Sequence, residues 1–178
     1  MKKTTWIAQT AVCLALLVAL QFFTRSLGQF VTGSCVNLVL AIASLIGGTW
    51  SGVVVAVISP FCAKLLGIGP AFFPMVPCVS LGNAVYAVIF GLLVGKFLLK
   101  KQTVAAYGSM VLAAVAKFVV LYIVLVQLVA PAVVPAAKLS TVTAAFTWPQ
   151  LVTALIGGVL ACLIAPVIRR ALGKGSAG

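Results

Sequence analysis

The sequence predicts an all-α integral membrane protein, a bundle of six transmembrane helices with both termini in the cytoplasm. Three observations predict it. Of 178 residues, 64% are hydrophobic and only 7% are charged, whereas soluble proteins carry about 25% charged residues. That is too little charge to coat a water-facing surface, so lipid must be the main solvent. Apolar runs of about 20 residues, the length that crosses a hydrocarbon core, recur between short polar or Pro/Gly-rich breaks. The basic residues, finally, divide unequally between the two sides that such spans define.

The first span covers residues 5–23. Met1-Lys2-Lys3 ahead of it imitates a secretory signal. The apolar run is long for one and no clear cleavage site follows, so it reads as a retained first helix. Arg25 lies in the first polar break, and the next charge is Lys64. That interval holds two spans, 31–46 and 50–66, divided by Gly47-Gly48-Thr49-Trp50-Ser51-Gly52, a glycine-rich turn. Pro60 should kink the third span. Residues 67–77 carry three prolines and two glycines yet are apolar. Irregular backbone at membrane depth must be buried in protein or line a wet cavity. The segment is therefore a lid or pocket wall, or else a hydrophobic loop at headgroup level. Spans four, five and six follow at 78–98, 103–129 and 148–168, and all six belong to one domain, residues 1–178.

With the N-terminus inside, Lys2, Lys3, Lys96, Lys100, Lys101, Arg169, Arg170 and Lys174 face the cytoplasm. Arg25, Lys64 and Lys138 face outside, and Lys117 lies within the membrane. This distribution satisfies the positive-inside rule. The net charge of +12 therefore reports topology. No basic run interleaved with aromatics on a polar segment points to nucleic acid.

The chain has no Asp, no Glu and no His. General acid–base catalysis usually needs a carboxylate or imidazole. Zinc and hard-cation sites need His, Asp or Glu ligands, and intramembrane proton relays run on the same residues. Enzyme activity, a metal site, a resident cofactor and ion-coupled pumping are all disfavoured. Ser109 and Lys117 are eight residues apart on one helix, about 12 Å of rise, too far for a Ser–Lys pair. The five cysteines, Cys13, Cys35, Cys62, Cys78 and Cys162, form no C-x-x-C and read as small packing residues. A phosphate-binding G-x-x-x-x-G-K-[ST] loop is absent too. Any energy for transport must come from a partner; the alternative is a self-contained passive channel or facilitator for a small solute.

The orientation gives each span a depth. Asn37, Asn83, Gln127 and Gln150 fall in the outer halves or outer ends of their spans, and Gln29 lies in the first outer connection after Arg25. Buried polar groups need partners. Amides and basic groups gathered in one half describe a pocket open to the outside, although helix–helix hydrogen bonds of about 0.6 kcal/mol account for any one of them. Lys117 near mid-membrane costs roughly 2.5–3.5 kcal/mol, and the chain holds no carboxylate to pair with it. It contacts a substrate anion or water, snorkels to the interface, turns neutral on burial or meets another subunit. Asn83 and Tyr86 are three apart and share a helix face. The candidate substrate-binding residues are Arg25, Gln29, Asn37, Lys64, Asn83, Tyr86, Lys117, Tyr122 and Gln150. A cationic solute would find no counter-charge, so the ligand is neutral or anionic. On the first span Ala8, Ala11, Ala15 and Ala19 form a stripe of small residues that lets another helix approach closely.

Several segments, in order and spacing, resemble the S components of energy-coupling factor (ECF) transporters. They are Gly28-Gln29-Phe30-Val31-Thr32-Gly33-Ser34-Cys35-Val36-Asn37, Gly47-Gly48-Thr49-Trp50-Ser51-Gly52, Ser59-Pro60-Phe61, Gly67-Ile68-Gly69-Pro70-Ala71 and Leu81-Gly82-Asn83. The resemblance covers about residues 5–100; the remainder is similar in span number and length. It implies a six-helix subunit of the bacterial cell membrane that binds a vitamin or related micronutrient with high affinity. It also implies partnership with a transmembrane T protein and two ATP-binding cassette ATPases. The family docks its T protein through an A-x-x-x-A pattern on the first helix, matched here by Ala11 and Ala15, with Ala15 and Ala19 as a second register. The first outer loop, around residues 25–33, would gate the pocket, and the loaded subunit would topple to release its ligand inside. A carboxylate-bearing or neutral vitamin such as pantothenate, folate, riboflavin or a corrinoid fits, and the sequence does not choose among them.

Overall fold

The computed structural model describes residues 3–174. Lys2, assigned above to the cytoplasm, lies outside the described residues, as does the side chain of Lys174. Among the described residues the regular structure is entirely helical. The helices are α1 (Lys3–Thr24), α2 (Gln29–Ile46), α3 (Thr49–Leu65), α4 (Met75–Leu99), α5 (Thr103–Val133), α6 (Ala136–Ala144) and α7 (Trp148–Lys174). Five stretches are long and apolar enough to cross a membrane: those of α1, α2, α4 and α5, and Ala136–Gly173, which holds α6 and α7. Helix α3, with 17 residues, is shorter; at 1.5 Å per residue it spans about 26 Å. Two helices change pitch. Phe90–Val94 in α4 and Leu121–Val129 in α5 are π-helical, and in the latter the buried positions are Leu121 and Leu125, with Ala130 the next one beyond it. The 130–147 connection carries its own helix, α6, which buries none of its residues.

The turns follow from local chemistry. Gly48 opens α3 at φ 87°, a left-handed region that favours glycine. Helix α3 ends in a Schellman motif: Ile68 N–H donates to Ala63 O at 2.9 Å and Gly67 N–H to Lys64 O at 3.1 Å, with Gly67 at φ 71°. Helix α4 ends with the same pair of bonds, Gln102 to Phe97 at 3.0 Å and Lys101 to Leu98 at 3.2 Å. There the left-handed residue is Lys101, at φ 57°. Pro60 lies inside α3 and removes one helical N–H. In that turn Ser80 Oγ of α4 donates to Val57 O at 3.0 Å, pinning α3 to α4.

Helix α2 is the centre of the bundle and packs on α1, α3, α4 and α7. Its approach to α7 is close. A Cβ added at Gly157 would lie 2.7 Å from Asn37 Cβ, Leu38 N and Ser34 O, so only glycine fits. The main apolar core gathers Leu17, Leu40, Val55, Tyr86, Phe90 and Val94 with many small residues. A second cluster, Met75, Cys78, Leu121, Leu125, Ala130 and Val134, lies beneath Phe72, Val142 and Phe146. Helix α1 packs on α2 and α3 only along one side. Just 11% of its most apolar window is buried, against 44% for α2, so most of its surface faces outward.

The charges sort to the two ends. Lys3, Lys96, Lys100, Lys101, Arg169 and Arg170 lie at the end where α2 finishes and α3 begins. There Arg169 donates to Leu45 O and caps the C-terminus of α2. Arg25, Lys64 and Lys138 lie at the opposite end, and that end holds the cavity.

Candidate functional site

A cavity of about 320 Å³ lies where α2 and α7 begin and α1 and α3 finish. Each wall comes from a different element. Helix α2 contributes Gln29, Thr32, Gly33, Val36 and Asn37; α3 contributes Ser59, Pro60 and Ala63; α4 contributes Val79 and Asn83. Lys117 reaches in from α5, Gln21 from α1 and Gln150 from α7, while Thr141, Val142, Ala145 and Phe146 close the side formed by α6 and its exit.

The apolar, proline-rich segment after α3 forms another wall. Ile68, Gly69, Pro70 and Ala71 face the cavity. The Schellman turn at Gly67 folds this loop back on its own helix, and Gly69 sits so close that a Cβ would meet Lys64 N at 2.7 Å. Lys64 then holds the loop from behind, its Nζ donating to Pro70 O at 3.0 Å and Ala71 O at 2.8 Å.

Lys117 is buried, only 2% exposed. Its Nζ donates to Asn37 Oδ1 at 2.6 Å and lies 5.6 Å from the centre of the Tyr86 ring, within cation–π range. Asn37 is held in turn: its Nδ2 donates to Gly33 O at 2.9 Å and to Thr153 Oγ1 at 3.3 Å. Thr153 Oγ1 donates to Gln150 O at 3.2 Å. At the rim, Gln29 and Gln150 both donate to Ala145 O, at 3.4 and 3.2 Å. A hydrogen-bonded chain thus runs from the cavity floor to its mouth.

Three oxygens on the wall have no partner in the protein: Asn83 Oδ1, Ser59 Oγ and Gln21 Oε1. Asn83 and Ser59 are 2% and 1% exposed. Leaving a buried polar atom unsatisfied costs about 1–3 kcal/mol, and all three residues line one cavity.

Of the residues singled out from sequence, Gln29, Asn37, Asn83, Lys117 and Gln150 line the cavity. Tyr86 is fully buried beneath it, its hydroxyl donating to Ala154 O at 2.9 Å. Lys64 braces the wall. Arg25 and Tyr122 lie elsewhere. The Arg25 guanidinium sits 4.5 Å over the Phe22 ring on the exposed turn after α1. Tyr122 is exposed beside Phe118; five residues past Lys117, it is about 140° round the helix from it. Gln127 is exposed as well. Sequence reasoning missed Gln21 and Ser59. The signal for Gln21 was present, an amide in the outer half of an apolar span; Ser59 had only its place before Pro60.

The sequence model of the substrate-specific component of ECF transporters matches residues 7–169. The chain belongs to that family. No curated protein and no solved structure matches it. As an S component, this multi-pass membrane protein serves ECF transport by supplying substrate specificity. Family membership implies a small-molecule substrate and work alongside a T component and ATPases. The match reaches well beyond residue 100, through α5 and most of α7, so it includes every element that walls the cavity.

Proposed function

We propose that this S component captures a vitamin or related micronutrient, neutral or anionic and bound with high affinity, in the cavity between α2, α3, α4, α5 and α7. One observation carries the reading: Asn83, Ser59 and Gln21, whose side-chain oxygens Oδ1, Oγ and Oε1 have no protein partner, line the same cavity as Lys117. Gln9 Oε1 and Ser34 Oγ, away from this cavity, also lack partners, so it is the grouping of three beside Lys117 that marks the site. A ligand that brings hydrogen-bond donors satisfies them. Gln29, Asn37, Asn83, Lys117 and Gln150 are the proposed contacts, and Lys64 keeps the Ile68–Ala71 wall in place.

Six spans with both termini in the cytoplasm put the cavity on the outside of a bacterial cell membrane, because the richer basic end then lies inside. The exposed alanines Ala11 and Ala15, with Ala19 half-buried beside them, form the proposed docking face for the T protein. Two ATP-binding cassette ATPases supply the energy that this chain has no residues to extract. The test is reconstitution. Liposomes holding this chain alone should show no net uptake of the compound it retains on purification, and adding the T protein and both ATPases with ATP should start it. Flux from the chain alone would replace this reading with that of a passive facilitator.

A further inference from the structure

The cavity chemistry narrows the ligand. We infer that it is a small organic anion whose negative group binds the Lys117 ammonium and whose own N–H or O–H groups donate to Asn83 and Ser59. The inference rests on the S-component reading above and adds charge and donor pattern to it.

The charge argument comes first. Lys117 is the one charged side chain on the cavity wall among the described residues, and the chain has no Asp or Glu. A buried ammonium without a counter-charge or full hydrogen bonding sheds its proton, and an anion bound beside it holds the charged form. It carries three donors, and Asn37 Oδ1 takes one of them at 2.6 Å. Asn37 brings no charge. Its amide is also fixed, since Nδ2 is committed to Gly33 O and Thr153 Oγ1, which turns Oδ1 toward Lys117. Asn37 therefore aims the lysine without neutralising it, with the Tyr86 ring on another flank. A cation held in position in a low-dielectric space is preorganised for an anion, which reduces the ordering cost of binding.

The donor argument is independent. Asn83 Oδ1, an acceptor, and Ser59 Oγ, which donates or accepts, have no partner in the protein, so a ligand with N–H or O–H groups beside its anionic group satisfies them. Val36, Val79, Pro60 and Phe146 complete the wall with apolar surface, which suits a carbon skeleton better than a bare inorganic ion. The volume of about 320 Å³ stands at the lower end of ligand pockets, roughly 300–1,000 Å³. It is too small for a corrinoid. A carboxylate bearing hydroxyl, amide or ureido groups fits all three conditions.

The experiment is a thermal-unfolding screen of the purified full chain in detergent. The probes are matched pairs that differ in the carboxylate: pantothenate and pantothenol, biotin and biotinamide, nicotinate and nicotinamide; riboflavin and thiamin are added as neutral and cationic members. The expected result is stabilisation by an acid, with at least tenfold weaker binding of its neutral counterpart. In Lys117→Met and Lys117→Gln that preference should collapse to near unity. Lys117→Gln keeps a donor for Asn37, so a fold defect in Lys117→Met does not remove the test. The acid-to-neutral ratio in the unmodified chain needs no variant at all. Strongest stabilisation by a neutral or cationic probe, silence of every acid, or an acid preference that survives in both variants would overturn the inference. A neutral or cationic binder leaves the S-component reading standing. ATP-independent flux in liposomes sinks that reading separately.

Discussion

At the scale of single residues, Asn37 carries the most connections in the site. It accepts from Lys117 and donates to Gly33 and Thr153 across α2, α5 and α7. A hydrogen bond to a charged group is worth about 1.5–3 kcal/mol, and losing it strands the buried ammonium. Asn37→Leu should therefore destabilise the chain by about 2–3 kcal/mol, read by thermal unfolding in detergent. In the double variant with Lys117→Met the two costs should not add, because the second change removes the stranded charge. Additive losses would show that the 2.6 Å contact contributes nothing. Asn37 and Lys117 were both visible in the sequence as polar residues in apolar spans. That they touch was not, since they are 80 positions apart.

At the scale of elements, two helix ends with the same hydrogen bonds differ in one side chain. Gly67 closes α3 and Lys101 closes α4, both at positive φ. A residue with a Cβ in that region costs roughly 1–2 kcal/mol. Lys101→Gly should therefore raise the unfolding midpoint, with a gain of about 0.5–1 kcal/mol after the extra unfolded-state entropy of glycine. Gly67→Ala should lower it by a similar amount and loosen the Ile68–Ala71 wall. Its binding should weaken in the same screen, whereas Lys101→Gly leaves binding unchanged. The α2–α7 crossing is less tolerant. Gly157→Val places atoms where Asn37 Cβ, Leu38 N and Ser34 O already stand, and overpacking of this kind costs roughly 1–3 kcal/mol. Because Asn37 is one of the atoms displaced, binding should fall along with stability. The existence of these helices was plain from hydropathy. The 67–77 segment was marked by its prolines and glycines as wall or loop. The structure makes 67–74 irregular and starts α4 at Met75, with Pro77 in the first turn, where a missing N–H costs nothing. Contacts from Lys64 and the second apolar cluster put the irregular part against the cavity. The π-helical pitch of Leu121–Val129 left no mark in the residue pattern, because a run broken only by Gln127 has too few polar positions to show a period.

At the scale of the whole molecule, α1 leaves its face open while α2 is enclosed. That difference separates a helix that completes the bundle from one free to meet another protein. Ala15→Trp should abolish co-purification with the T protein while the binding screen is unaffected, since no cavity residue neighbours Ala15. An intact complex in that variant would remove α1 as the docking helix. Orientation is tested by single thiols in a cysteine-free background: positions 101 and 170 should label from the cytoplasm and position 138 from outside.

The chain's solvent and its want of carboxylate and imidazole groups were fixed by composition alone, because a side chain's transfer energy and functional groups do not depend on its neighbours. Family membership, too, lay in the order of the motifs. The cavity depended on folding. Which amides converge, which oxygens stay without partners and which way Lys117 points are properties of helices packed across long sequence separations. Tyr122, one residue past the buried Leu121, is exposed, and only contact between helices sets helix phase.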